Sequence, residues 1–335
     1  MIDITNSTAQ SRKAIQTVLH SALGYAILAP SSHNTQPWLF KIKDSSIELY
    51  ADKSRSLKVI DPEDRSLIMS CGAALYNLRL ALRNLGYAEN TEVLPDSGSP
   101  DFLANVTLTG TTRANLEEKQ LFEIIPQRHT NRQAFEDAPL PDALISSLQL
   151  AAKLEGAELL VSSDITVREH VAQLVAEGDR IQLADPHFRK ELIDWTNPNR
   201  SKSKDGIPGY ALGLSDIASY ISPLIVRTFD TGKGKAARDR MLAEGSPAIA
   251  ILYTKGDTLH EWILAGQALC KILLLARTQT VHASFLNQPI EVPELRIKLS
   301  EVLSLPGIAH TILRLGYARE EKPSTPRRDV SEVIK

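Results

Sequence analysis

The sequence predicts an α+β fold built as two similar halves, and three observations support this. The chain has 335 residues, beyond the size at which one hydrophobic core usually stops growing. A helical pattern recurs in it. Gly72-Ala73-Ala74-Leu75, continuing through Leu80 to Arg83, and Gly266-Gln267-Ala268-Leu269, continuing through Leu274 to Arg277, both fit G-x-A-L-x4-L-x2-R, with the glycines 194 residues apart (266 minus 72). Around each copy, short strand-like runs alternate with helical ones. Two unrelated core helices could share Ala and Leu, but the elements flanking each copy are similar in type.

The elements follow in chain order. Apolar residues at helical spacing predict a helix over 15–28. Runs of apolar and β-branched residues predict strands over 39–42 and 47–51. The first repeat helix is apolar on more than one face and should be largely buried. A strand is expected over 102–109, and residues 110–127 read as a polar junction holding one helix. Helices over 142–154 and 166–183 flank a strand over 157–162. Residues 195–240 are rich in Asn, Ser, Gly and Pro and then turn apolar at Ile217, Ala218, Tyr220, Ile221, Leu224 and Ile225. Such a segment suits a lid better than a disordered surface insertion. The strand 248–254, the second repeat helix and a closing strand over 310–317 complete the chain. The expected division is 1–115 and 116–335, with the lid in the second half.

Composition narrows the function. There are 38 basic and 40 acidic residues, a net charge of -2, so no basic excess or polybasic tail suits a nucleic acid or a membrane surface. The first residues lack a long apolar run and a cleavage pattern, which makes the cytoplasm the default expectation. The aliphatic stretch 272–276 is far too short to span a bilayer. Cys71 and Cys270 form no close pair, which argues against a disulfide framework or a cysteine zinc site, and both should be inert core residues. The histidines show no metal-ligand spacing, and no metal is expected.

Three segments could carry chemistry. Ala29-Pro30-Ser31-Ser32-His33-Asn34-Thr35-Gln36-Pro37-Trp38 sets six consecutive hydrogen-bonding side chains between two prolines. A stiff loop of this kind can offer donors and acceptors to the edge of a planar heterocycle. In Gln127-Arg128-His129-Thr130-Asn131-Arg132, two arginines and a hydroxyl lie within five residues, which suits a phosphate. A solvated basic turn is the blander alternative. The proline-stiffened tail Pro323–Asp329 adds Arg327 and Arg328. Gly232-Lys233-Gly234-Lys235-Ala236-Ala237 imitates a dinucleotide fingerprint only weakly. Lys233, Lys235, Arg238 and Arg240 read as a solvated helix face.

These segments together resemble the nitroreductase superfamily. Ala-Pro-Ser-Ser-x-Asn-x-Gln-Pro-Trp at 29–38 is similar to its flavin-contacting loop. Arg128-His129-Thr130-x-Arg132 resembles the motif that holds the FMN phosphate and ribityl chain. Asn287-Gln288-Pro289-Ile290-Glu291 resembles the turn near flavin N5, with Val292 where the family often has glycine. LRLGYARE…TPRRDVSEVI resembles its closing strand and basic tail. In ordinary members the basic motif comes first, and two subunits build each site. Here the polar loop comes first and the basic motif opens the second half, which resembles the fused, FMN-binding Acg-type subgroup.

The resemblance implies a nitroreductase-like α+β fold of two pseudo-symmetric halves with one FMN per chain. Pro30, Ser31, Ser32, Asn34 and Gln36 would contact the isoalloxazine or ribityl chain. Arg128, His129, Thr130, Arg132, Arg327 and Arg328 would hold the phosphate and ribityl, and Pro289, Ile290 and Glu291 would approach N5. The implied activity is flavin-dependent oxidoreduction, with NAD(P)H as candidate donor and a small molecule as substrate. The flavin would carry the chemistry, with no side-chain nucleophile. The alternative is an FMN-storing protein whose lid closes over the flavin with little turnover. The fused unit could be a monomer or pair into a homodimer.

Overall fold

The two repeated glycines lie at the centre of the molecule, where the helices Arg65–Asn84 and Leu259–Thr278 cross. A β-carbon on Gly72 would stand 2.3 Å from the Ile263 carbonyl oxygen, and one on Gly266 would stand 2.1 Å from that of Met69. Both lie far inside van der Waals contact, so the helices meet backbone to backbone, and only glycine permits it. Leu75, Leu78 and Leu82 share one core with Ile263, Cys270 and Leu274. Met69 joins a second with Leu269 and Leu273. The Leu259–Thr278 helix is long and apolar enough to cross a membrane, but most of it is buried here.

This computed structural model describes residues 9–215, 218–219 and 232–335. Each crossing helix serves a four-stranded antiparallel sheet. The first sheet contains β1 (Trp38–Ile42), β2 (Ser46–Ala51), β3 (Tyr87–Val93) and β4 (Phe102–Thr111), in the order β1-β2-β4-β3. β5 (Glu158–Ser162), a short parallel pair of β6 (Thr196–Asn197) and β7 (Ile207–Pro208), then β8 (Ala248–Thr254), β9 (Val281–Phe285) and β10 (Ile308–Tyr317) follow. The second sheet has the order β5-β8-β10-β9. Each sheet therefore runs strand, strand, long helix, strand, strand, with equivalent neighbours paired. The fold is α+β with two pseudo-symmetric sheet-and-helix units, as the repeat predicted.

The symmetry breaks between the first two strands of each sheet. Residues 43–45 join β1 to β2, whereas residues 163–247 join β5 to β8. This insertion carries the helices Ile165–Ala184, Pro186–Asp194 and Gly232–Glu244 and the β6–β7 pair. Of the apolar run expected in the lid, Ala218 is described, while Ile217, Tyr220, Ile221, Leu224 and Ile225 lie outside the described residues.

The short β6–β7 pair and two strands of the main sheets were not expected. β3 (YAENTEV) is polar because it lies at a sheet edge with its outer positions open. β9 (VHASF) is a short, nearly continuous buried run that the helix before it masks. The first helix runs over Ala9–Ala26, earlier than 15–28. Asn115 and Glu118 cap the junction helix Leu116–Ile124 reciprocally. Both cysteines are buried. Burial pushes the Cys270 thiol up to about 12 and raises that of Cys71 as well, so neither carries thiolate near neutrality.

Candidate functional site

A cavity of about 250 Å³ lies over the helix crossing. Ser66, Met69, Ser70, Ala73 and Leu269 of the two long helices form its floor. Met69 is also the residue whose carbonyl meets Gly266, so the close crossing sets the floor. Four segments distant in sequence converge on it: the polar loop, the basic motif, the turn before Glu291 and the C-terminal tail.

The polar loop departs from ordinary backbone. His33, Asn34 and Gln36 have φ values of 49°, 56° and 52°, left-handed conformations that side chains rarely adopt. Such strain persists only where the surroundings over-determine it. Gln36 N–H donates to Ser31 Oγ at 3.0 Å. The Gln36 side chain is fully buried; its Nε2 donates to Lys204 O at 2.7 Å and its Oε1 accepts from Arg328 N–H at 2.8 Å. Asn34 Nδ2 donates to Gly206 O and Pro326 O, and Asn34 Oδ1 accepts from Arg327 Nη1 at 2.9 Å. The insertion and the tail together clamp the loop.

The tail reaches it because the chain returns to the first half after β10. Lys335 N–H donates to Phe40 O at 2.7 Å, and Ile334 bridges Phe40 alongside β1. The basic motif is held in the other half. Thr130 bridges Ala283 of β9, Asn131 N–H donates to Ala283 O at 3.1 Å, and Asn131 Nδ2 donates to Glu320 O at 2.9 Å.

Of the expected contacts, Pro30, Ser31, Ser32, Asn34, Arg128, His129, Thr130, Arg132, Glu291 and Arg327 line this one cavity. Gln36, Pro289, Ile290 and Arg328 do not. Gln36 and Arg328 are spent on each other: Arg328 also donates to Gln36 O at 3.2 Å and to Glu332 O at 2.6 Å. Pro289 and Ile290 point into the core, where Arg65 Nη2 donates to Ile290 O at 2.9 Å. Val292 is extended, with φ of -106°, so nothing at this position requires glycine.

Gln36→Ala should therefore act on stability through the clamp. It strips three hydrogen bonds from a fully buried site and leaves the Arg328 N–H and Lys204 carbonyl unpaired. A loss of about 2 to 3 kcal/mol in urea unfolding is expected, with faster proteolysis of the tail.

The electrostatics of the cavity are uneven. Arg128 is buried and Arg132 partly buried, and among the described residues each makes a single long bond at 3.4 Å, to Leu28 O and Ala211 O respectively. Arg327 bonds Thr325 and Ala29, but its Nε has no partner among the described residues. Among the described residues none of the three pairs with a carboxylate. Burial lowers all three guanidinium pKa values, and the neighbouring Arg128 helps bring Arg327 to about 9. Cations buried without a counter-charge are costly unless an anion joins them.

At the other end the insertion supplies Gln182, Phe188, Leu192, Ile207, Leu212 and Lys235. Lys235 is partly exposed, but it is not the free solvated residue the sequence suggested. It pairs with Asp179 and, at 2.8 Å, with Asp239. Burial works against its charge, but Asp239 and Asp179 outweigh it and raise its pKa. His33 is held neutral: burial, Arg132 and Lys235 lower it to about 4. The histidines are less scattered than the spacing suggested. The ligand atoms of His129, His282 and Glu321 lie within 4.8 Å of one another, but Arg277 pairs with Glu321 at 2.5 Å and contacts His282 at 3.1 Å. Arg277 already supplies the positive charge there, which makes the cluster an ion-pair network.

Sequence reasoning missed His33, Gln182, Asn287 and Lys235. Asn287 stood inside a quoted motif: its Oδ1 accepts from Thr311 Oγ1 at 2.8 Å and Ile312 N–H at 2.9 Å, which fixes the turn before Glu291. Gln182 and Lys235 lie on insertion helices with no local signal of their role.

No protein-family model matches the chain. Curated relatives do. The Mycobacterium tuberculosis protein Rv3131, provisionally named an NAD(P)H nitroreductase, is 28% identical over 320 residues, which is 94% of this chain and 90% of that protein. The acg protein of the same organism, with the same provisional activity name, is 26% identical over 323 residues and covers 95% of both chains. Among solved structures, the FMN-dependent nitroreductase NfnB from Mycobacterium smegmatis aligns with a TM-score of 0.42 and 16% identity, over 65% of this chain and 98% of its own.

Proposed function

We propose, from the premise that this chain is a nitroreductase-like protein of the Acg type, that it binds one FMN in this cavity and passes electrons through it. The observation that carries the reading is the set of three arginines lining the cavity, the buried Arg128 and the partly buried Arg132 and Arg327, which have no carboxylate partner among the described residues and stand beside a strained, polar loop. A phosphate would supply the missing anion. Arg128 and Arg327, with Thr130, would hold it together with the ribityl chain. Ser31, Ser32 and Asn34 would face the heterocycle, and the Asn287–Glu291 turn would lie near its reactive edge. Bound there, the flavin supplies reversible hydride acceptance. The residues bind and orient it, and the insertion excludes water from it.

The proposed division remains 1–115 and 116–335, each half giving one wall of the site. The fused chain would then complete alone the site that a dimer otherwise builds. The proposed setting is the cytoplasm, with NADH or NADPH as donor and a small molecule as acceptor.

One observation favours a second reading, FMN storage: the insertion lays Phe188, Leu192, Ile207 and Leu212 over the cavity, an apolar roof that could bar substrate. Anaerobic mixing of the flavin-loaded protein with NADH or NADPH separates the two. Bleaching of the flavin band within seconds supports the enzyme; no bleaching with either donor supports storage.

A further inference from the structure

Glu291 sits deep in the protein, yet it lines the cavity and keeps part of its surface open to it. It ends the short helix Gln288–Glu291 fixed by Asn287. Gln182 Nε2 donates to Glu291 Oε2 at 2.6 Å, orienting the carboxyl, while Oε1 has no protein partner among the described residues. Among the described residues no ion pair engages it. The charged groups facing it are Lys235 of the insertion, already held by Asp179 and Asp239, and Asp61 and Arg65 at the start of the long helix. Arg65 is committed to Ile290 O, and Asp61 accepts from Ser66 N–H and Leu67 N–H. Glu291 is thus an oriented, unpaired carboxyl facing the proposed reaction chamber.

We propose that Glu291 is the proton donor of this site, serving acceptors that take a hydride and a proton together, such as quinones. The proposal rests on the FMN reading above. In reduction of a quinone, NAD(P)H supplies one hydride, which carries both electrons, through the cofactor to one end of the quinone, and the quinone's second oxygen takes the proton. The Glu291 O–H bond breaks as the new O–H bond forms, and water reprotonates the carboxylate. The other titratable groups lining this end suit the task less well. His33 and His310 are neutral, each lowered to about 4 chiefly by burial, His310 also being bonded to Thr254, and Lys235 is locked by two carboxylates. Burial raises the Glu291 carboxyl to about 7, against the pull of Gln182 and Lys235, so a protonated fraction is present at neutral pH.

The test compares Glu291→Gln with the native protein, both loaded with FMN. With a quinone, turnover should fall about a hundredfold, the scale of general acid catalysis. With ferricyanide, which takes one electron and no proton, the loss should be far smaller, so that the ratio of quinone to ferricyanide turnover falls at least about tenfold. The native quinone rate should decline above about pH 7, and the variant should lack that limb. Independently of turnover, ¹³C NMR of glutamate-labelled, flavin-free protein should show one carboxyl titrating near neutrality that vanishes in the variant. Equal losses with both acceptors, no loss with either, or an unchanged set of titrating carboxyls would overturn the proposal. Failure of the native protein to take up FMN would instead sink the reading beneath it.

Discussion

Arg128→Ala is expected to weaken FMN binding about 30- to 150-fold while leaving the flavin-free protein nearly as stable as before. The first part follows from the loss of charge-assisted hydrogen bonds to a phosphate, worth about 2 to 3 kcal/mol. The second follows from the structure. Among the described residues Arg128 is buried with one long bond and no carboxylate, so removing it also removes an uncompensated charge. An arginine retained for structure would behave oppositely, with loss of stability and unchanged affinity. Arg128→Lys should fall between native and Ala, because an ammonium keeps the charge but not the two-pronged geometry. Fluorescence titration of FMN and urea unfolding, run on the same samples, read both quantities.

The second large effect concerns the crossing. Gly266→Val should destabilise the protein by about 4 kcal/mol or more, because even the first added carbon would stand 2.1 Å from the Met69 carbonyl and 2.9 Å from its Cα. Both obstacles are backbone, so no rotamer relieves the clash and the helices must part. Met69, Ala73 and Leu269 form the cavity floor, so FMN affinity should fall with stability. Leu150→Ala, at an exposed position on a neighbouring helix, serves as control and should change stability by less than about 0.5 kcal/mol. Unfolding midpoints separate the two variants.

That crossing also shows what the sequence made legible. The repeat G-x-A-L-x4-L-x2-R marked where two helices need to touch, and the physical reason is the glycine in each copy. Strands with long apolar or alternating runs, such as Ala248–Thr254, could be read directly. β3 could not, because an edge strand need not be apolar, and β9 could not, because five residues, four of them buried, just after a helix look like its continuation. At the site, a dense local motif exposed the polar loop and the arginines. Gln36 belonged to the motif, yet its chemistry is consumed by Arg328 and Lys204 in contacts across 292 and 168 residues, which no local pattern records. Lys235 was misread for a similar reason. On its own helix it resembles a solvated residue, and only the fold brings Asp179 to it, 56 residues earlier in the chain.

The central claim is that two halves of one chain enclose a single flavin mononucleotide between the early polar loop and the later arginines. Titration of flavin-free protein with FMN by calorimetry, at known chain concentration, tests it most directly. The account predicts saturation at one FMN per chain, lost on titrating Arg128→Ala over the same range. Saturation at two per chain, or no heat with FMN under any loading condition, would contradict it.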